Sequence, residues 1–467
     1  MGQRDDDKKI LWHTLAFMAF STVWGFGNVI NGFSEYGGLR AIVSWILIFA
    51  IYFVPYALMV GELGSTFKDA GGGVSSWIQE TIGPRMAYYA GWTYWVVHMP
   101  YISQKPNSTV IAASWALFQD KRASSMDTTV MQLICLVIFL FAMYLSSKGM
   151  GVLKRLSALA GSTMFIMSML FIAMMVAAPA LTGGTFMTIQ WSLKTFIPTF
   201  DASFFMGLSI LVFAVGGCEK ISPYVNKMKD PSRDFSKGMA ALALMVAVTA
   251  ILGTVALGMM FDSSHIPPDL MTNGAYYAFQ RLGEYYHVGN FFVIVYALTN
   301  LIGQFSVMVL SVDAPLRMLL DSADTRFIPR KMFEKNEHGT YVNGHRLVML
   351  IVCVLIIVPA FGIRNVDVLV RWLVKVNSVC MPLRYLWVFV AYIALKKAGD
   401  AYHAQYRFLK GRTAGVLVGV WCFGFTAFAC ITGIYSDDLF QLVLNIVTPF
   451  VLVGLGFILP WLAAREN

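Results

Sequence analysis

Charge is scarce in this sequence: only 13% of its 467 residues are Asp, Glu, Lys or Arg, against about a quarter in soluble domains. Too few remain to build an ordinary water-facing surface. Acidic residues are the scarcer sign, 26 against 35 basic ones. The resulting charge of +9 follows the alternation of loops rather than forming one basic stripe, which argues against a nucleic-acid partner. Cysteine is sparse too. Cys135, Cys218, Cys353, Cys380, Cys422 and Cys430 all lie in apolar segments without a CxxC pair. Neither a metal site nor a disulfide framework is expected. No HExxH, no GxSxG and no His or Asp cluster at metal spacing occurs, so the chain reads as a non-enzyme that needs no cofactor. No small-residue cleavage site follows MGQRDDDKKI, and no removable signal is expected.

What is abundant is apolar length. Hydrophobic residues make up 57% of the chain, and many runs reach the roughly 20 residues a helix needs to cross a bilayer. The pattern predicts an all-α membrane protein of twelve spans near 10–33, 39–66, 85–118, 127–147, 150–181, 200–226, 235–261, 288–321, 346–362, 366–396, 412–434 and 438–463. Three longer connections interrupt them: a Gly-rich linker at 67–84, a polar stretch at 262–287 and a basic loop at 322–345. With the N-terminus inside, 25 of the 35 basic residues fall on the inner side and seven on the outer. Lys8, Lys9, Lys148, Lys220, Lys227, Arg330 and Lys396 are among the inner ones. The asymmetry places both termini in the cytoplasm. Lys105, Lys375 and Arg384 fall inside spans and need partners or water.

Two spans are broken. Ser21 to Phe33 reads STVWGFGNVINGF, with Gly25, Gly27, Asn28, Asn31 and Gly32 where a helix should be continuous. The sixth span reads MGLSILVFAVGGCEKISPYVN, interrupted at Gly216 and Gly217 with Glu219 just after. Glycine holds a helix poorly, and backbone freed inside a membrane is tolerated only against protein or a water-filled cavity. Paired breaks five spans apart point to a midplane ligand site. Half-helix N–H groups suit a carboxylate and unwound carbonyls suit an ammonium, so one site reads both ends of an amino acid. Close helix packing at small residues is the plainer explanation of either break alone.

Three stretches carry a family resemblance: GELGSTFKDAGGGVSSWIQETIGP (Gly61 to Pro84), FAVGGCEKISPYVNKMKDPSRDFSKGM (Phe213 to Met239) and DAPLRMLLDSADTRFIPRKM (Asp313 to Met332). In order and in register with twelve spans, they resemble the amino acid–polyamine–organocation superfamily, and within it the glutamate:γ-aminobutyrate antiporter branch. The resemblance implies a five-plus-five inverted repeat of the LeuT type, with repeat one at 1–181, repeat two at 200–396 and accessory helices at 412–467. It implies a secondary transporter of the bacterial inner membrane working by alternating access. An antiporter is expected, exchanging an amino acid for another or for its decarboxylated amine; the alternative is proton-coupled amino acid or polyamine uptake. Family members occur as monomers and as dimers, which leaves a homodimer open. By position, the backbone from Val23 and Trp24 through Gly25, Phe26, Gly27 and Asn28 would bind the substrate carboxylate. Carbonyls of Phe213, Ala214 and Gly216, beside Gly217, would take the amine, with the Phe213 ring closing over the substrate. Glu219 would brace the unwound segment, with Glu62 and Asp313 as further structural or coupling carboxylates. Relatives that couple to protons can carry a lysine in the fifth helix, whereas Leu156 to Val176 here has no charge. Exchange is the simpler reading.

Side-chain selectivity is expected elsewhere. His98 and Lys105, seven residues apart, share a helical face in a span distorted by Pro100 and Pro106. That face either attracts a negative substrate group or forms a structural network with carbonyls freed by the prolines. His98 could also gate transport by titrating near neutral pH. Lys375 and Asn377 in the tenth span are further substrate candidates. Arg384 lies nine residues beyond Lys375, roughly opposite on a continuous helix, so only one of the two is expected to face the pathway.

Overall fold

A computed structural model of the chain describes residues 10–70, 73–182, 192–321, 323–361, 365–402 and 404–466, without the side chains of 150–154. Lys8 and Lys9, used above to orient the chain, lie outside the described residues, as do Arg4 and Arg364, counted there on the inner and outer sides.

Among the described residues the regular structure is helical, with two isolated bridges, Ile10 to Met228 and Lys335 to Tyr341. Ten helical stretches among the described residues are long and apolar enough to cross a membrane. Two expected spans are missing from that set, and each is divided into two helices. The first divides into α1 (Trp12–Val23) and α2 (Phe26–Glu35). The second comprises α4 (Pro84–Val96) and α5 (His98–Phe118), which meet at Val97; between the two expected spans lies α3 (Gly38–Thr66). There follow α6 (Thr128–Ser146), α7 (Met150–Thr182), α8 (Ala202–Val215), α9 (Pro231–Gly258), α10 (Leu270–Tyr285), α11 (Phe291–Leu320), α12 (Val342–Ile357), α13 (Val366–Cys380), α14 (Leu383–Ala398), α15 (Arg412–Gly433) and α16 (Leu439–Gly454).

The longer connections hold more structure than their composition suggested. The polar stretch at 262–287 contains α10, which packs on α11 and α2. Its buried face, Leu270, Ala275, Tyr276, Phe279 and Leu282, recurs at helical spacing between polar residues. The linker at 67–84 contains a short helix, Val74–Thr81, whose Val74, Trp77 and Ile78 are buried against α4 and α14.

Packing runs polar side inward. Leu133, Val137, Leu244, Leu350 and Phe450 are exposed, as suits side chains solvated by lipid tails. Glu62, His98, Asn107, Glu219, Lys220, Asp313, Asn377 and Arg384 are buried within the bundle. α1 lies tightly on α7, because Gly161 brings its backbone against the Phe17 carbonyl with no room for a Cβ. α11 packs on α5, α7 and α4, and α8 on α15 and α13.

Candidate substrate site

α1 stops because Trp24 and Gly25 both adopt extended backbone (φ −130°, ψ 143° and φ −149°, ψ 160°). The Trp24 N–H still reaches Phe20, and the helix restarts with Asn28 N–H donating to the Gly25 carbonyl at 2.9 Å. Phe26 and Gly27 precede that first bond, so their N–H groups have no acceptor within α2. Phe26 anchors this start, its ring edge-on to Phe171, Phe279 and Tyr296.

α8 stops at Gly216, extended at φ −84° and ψ 162°, and Gly217 turns the chain at φ +109°. That positive φ favours glycine. A Cβ on Gly216 would enter the Tyr385 ring. The chain continues as a 3-10 helix, Cys218–Lys227, with a buried first half. The two breaks touch: the Asn28 amide donates to the carbonyls of Val23 (3.2 Å) and Ala214 (3.3 Å). One expected amine acceptor, the Ala214 carbonyl, thus already takes one hydrogen bond, and that of Phe213 takes a long one of 3.4 Å from Gly216.

Both breaks open on one cavity of about 170 Å³. It extends along α2 past Asn28 and Asn31, by Met271 and Thr272 of α10 and by Val370 and Val374 of α13. Of the expected site residues, Val23, Trp24, Gly25, Gly27, Asn28, Lys105, Phe213 and Gly216 line it. Phe26, His98, Ala214, Gly217, Lys375 and Asn377 do not. Asn377 stands one shell back, donating at 2.8 Å to Gln104, which does line the cavity. Lys375 points away and pairs with Glu35 at 3.4 Å.

Three lining cations set the electrostatics. Lys105 donates to Gln304 at 3.1 Å and lies 4.4 Å over the Tyr101 ring. Gln304 in turn donates to Asn300, and Asn300 to the Tyr276 hydroxyl at 2.8 Å, giving a connected polar wall. Lys220, which the sequence assigned to an inner loop, lies in the buried 3-10 turn and is only 2% exposed. It donates to Ser311 at 2.6 Å and faces the same Tyr101 ring at 5.6 Å. Of Lys375 and Arg384 only one was expected to face the pathway, and of the two Arg384 lines the cavity, near the start of the helix that follows Pro382; Lys375, the one named as a substrate candidate, does not. Among the described residues no Asp or Glu lines the cavity.

Beneath the lysines lies a closed cluster. Glu219, fully buried, accepts from the hydroxyls of Tyr56 and Tyr94 and stands 3.5 Å from Arg384. Arg384 also donates to His98 Nε2 at 2.6 Å and to Tyr385 at 3.2 Å. His98 Nδ1 lies 2.6 Å from the Tyr94 carbonyl and so carries the proton, leaving Nε2 as acceptor. Of the other expected carboxylates, Asp313 holds Arg317 at 2.6 Å. Glu62 holds Lys396 at 2.5 Å and accepts from Phe408 N–H, tying α3 to the far end of α14.

Comparison with known proteins follows the same lines. Residues 10–464 match the amino acid permease family. The chain is 49% identical to an aspartate/glutamate permease of Lactococcus lactis subsp. cremoris, over 99% of this chain and 97% of that protein. A probable agmatine/putrescine antiporter of Lactococcus lactis subsp. lactis is 24% identical over 76% of this chain and 72% of its own length. A glutamate/gamma-aminobutyrate antiporter of the same organism is 22% identical over 74% and 68%.

Proposed function

The chain belongs to the amino acid permease family and is a multi-pass membrane transporter rather than an enzyme; from that premise we propose that its substrates are acidic amino acids, taken by alternating access in exchange for another amino acid. The observation that carries the reading is the charge of the cavity, which among the described residues Lys105, Lys220 and Arg384 line without one carboxylate. A substrate with two carboxylates and one ammonium brings the missing negative charge. A polyamine brings the wrong sign. At about 5 Å and an effective dielectric of about 20, each like-charge contact costs about 3 kcal/mol. The 49% identity to an aspartate/glutamate permease supports the same substrate class.

The common part of the substrate goes to the breaks. The N–H groups opening α2 receive the α-carboxylate, favoured by the positive end of that helix. Carbonyls around Phe213 and Ala214 take the ammonium, and the Phe213 ring, edge-on to Tyr101 at 6.1 Å, closes over it. In this reading twelve spans form two inverted five-helix repeats plus two accessory helices, with both termini cytoplasmic. The cavity then opens outward along α2. The Glu219–Arg384–His98 cluster and the Ile10 to Met228 bridge close the inner side. Exchange accords with the stretch 156–176, which holds no ionisable residue and meets the first break through Met164, 2.8 Å from where a Gly25 Cβ would lie.

A competition panel on purified protein in liposomes tests the substrate class. Aspartate and glutamate are expected to displace labelled aspartate, while lysine, leucine and putrescine are not. Equal displacement by neutral or basic amino acids removes the proposal.

A further inference from the structure

The acidic-substrate reading leaves open which cation meets the side-chain carboxylate, and three line the cavity. Arg384 is already occupied. Its guanidinium donates to His98 and Tyr385 and is neutralised by Glu219 at 3.5 Å. The two lysines are different. Neither forms an ion pair among the described residues, and each has one hydrogen bond to a neutral side chain, Lys105 to Gln304 and Lys220 to Ser311. An ammonium has three donors, so each keeps donors unspent. Both face the Tyr101 ring, at 4.4 and 5.6 Å from its centre, and that ring also lines the cavity. Lys220 is the more deeply buried, at 2% exposure. An ammonium held there without an ion pair of its own is costly, and a ligand that supplies one is favoured over one that does not.

We propose that Lys220 is a specificity residue of this transporter: with Lys105, which faces the same Tyr101 ring, it binds the side-chain carboxylate of an acidic amino acid, while the helix breaks hold the α-carboxylate and ammonium. The proposal rests on the acidic-substrate reading above. It places selectivity next to the second break, since Lys220 follows Gly217 by one 3-10 turn, the Lys220 N–H donating to the Gly217 carbonyl at 3.1 Å. Ser311 on α11 fixes the ammonium, so Ser311 is a positioning residue that acts through Lys220.

The test measures binding of aspartate and of asparagine, its neutral isostere, to the full-length protein and to Lys220→Met and Lys220→Gln. Loss of a charged hydrogen bond is expected to weaken aspartate by about 10- to 100-fold while leaving asparagine within about 3-fold, collapsing the preference. A preference kept in both variants overturns the role of Lys220. So does equal weakening of both ligands in a variant that remains monodisperse, because a side-chain reader spares the neutral isostere. If the native protein itself shows no preference for aspartate, the acidic-substrate reading fails first, and the two failures are thereby distinguished. Should neither Lys220 variant fold, Ser311→Ala carries the test. A change in the aspartate-to-asparagine ratio of at least about 3-fold is expected, and an unchanged ratio overturns the proposal.

Discussion

The carboxylate of Glu219 and the guanidinium of Arg384 stand 3.5 Å apart, both buried, and between them they join both broken and re-started parts of the bundle. Glu219 sits two residues past the glycine break, and Arg384 two past Pro382. Through Tyr56, Tyr94, His98 and Tyr385 the pair reaches α3, α4, α5 and α14. Removing one partner leaves an uncompensated buried charge, at a cost of about 3–5 kcal/mol. Glu219→Gln and Arg384→Met are therefore each expected to lower the thermal midpoint of the purified protein by several degrees. The double variant should lose less than the sum of the two, and additive losses would show that the pair does not act as a unit.

The two glycines of the second break fail for different reasons. Gly216→Ala pushes a methyl into the Tyr385 ring, and Gly217→Ala strains a residue at φ +109° by about 1–2 kcal/mol. Gly27, where a Cβ meets nothing within 4 Å, is the control. Thermal scans should show Gly216→Ala least stable, Gly217→Ala intermediate and Gly27→Ala near the native protein.

Lys375 pairs with Glu35 at 3.4 Å with a side chain 37% exposed, outside the cavity lining. A partly exposed pair of this kind contributes less than about 1 kcal/mol. Lys375→Met is expected to keep the aspartate Kd within about 2-fold of native, while Lys105→Met raises it about 10-fold or more. Equal effects of the two substitutions would show that the cavity does not define the site.

His98 is held neutral by its own hydrogen bonds, its N–H on the Tyr94 carbonyl and its lone pair on Arg384. A second proton would set N–H against N–H beside a guanidinium. The exchange rate between pH 5.5 and 8 should therefore have the same profile shape in the native protein and in His98→Gln. An inflection present only in the native protein would restore a gating role for the histidine.

The breaks were legible because their residues are conformationally extreme. Gly25 beside Gly27 and the pair Gly216–Gly217 interrupt apolar runs that have no other reason to stop. Lys105 was legible as a charge isolated within a span. Lys220 was not, because a basic residue three positions past a glycine pair reads as the start of a loop. The 3-10 turn instead folds it back against Ser311. Of Lys375 and Arg384, nine residues apart, only one was expected inward, and the cavity takes Arg384 while Lys375 pairs with Glu35; spacing along a helix separates two faces without saying which one meets the pathway. The cavity aromatics, Tyr101, Tyr276 and Tyr385, look in sequence like any aromatic in a chain that is 14% Phe, Trp and Tyr. Only their convergence on the breaks distinguishes them.

The central claim is exchange of acidic amino acids through one basic cavity, and trans-stimulation tests it most directly. Labelled aspartate is supplied outside liposomes that contain the purified protein and are either empty or loaded with unlabelled glutamate. Uptake is expected to be many-fold faster into the loaded vesicles and insensitive to an uncoupler. Equal uptake into empty vesicles, abolished by the uncoupler, would contradict exchange and identify proton-driven uptake in its place.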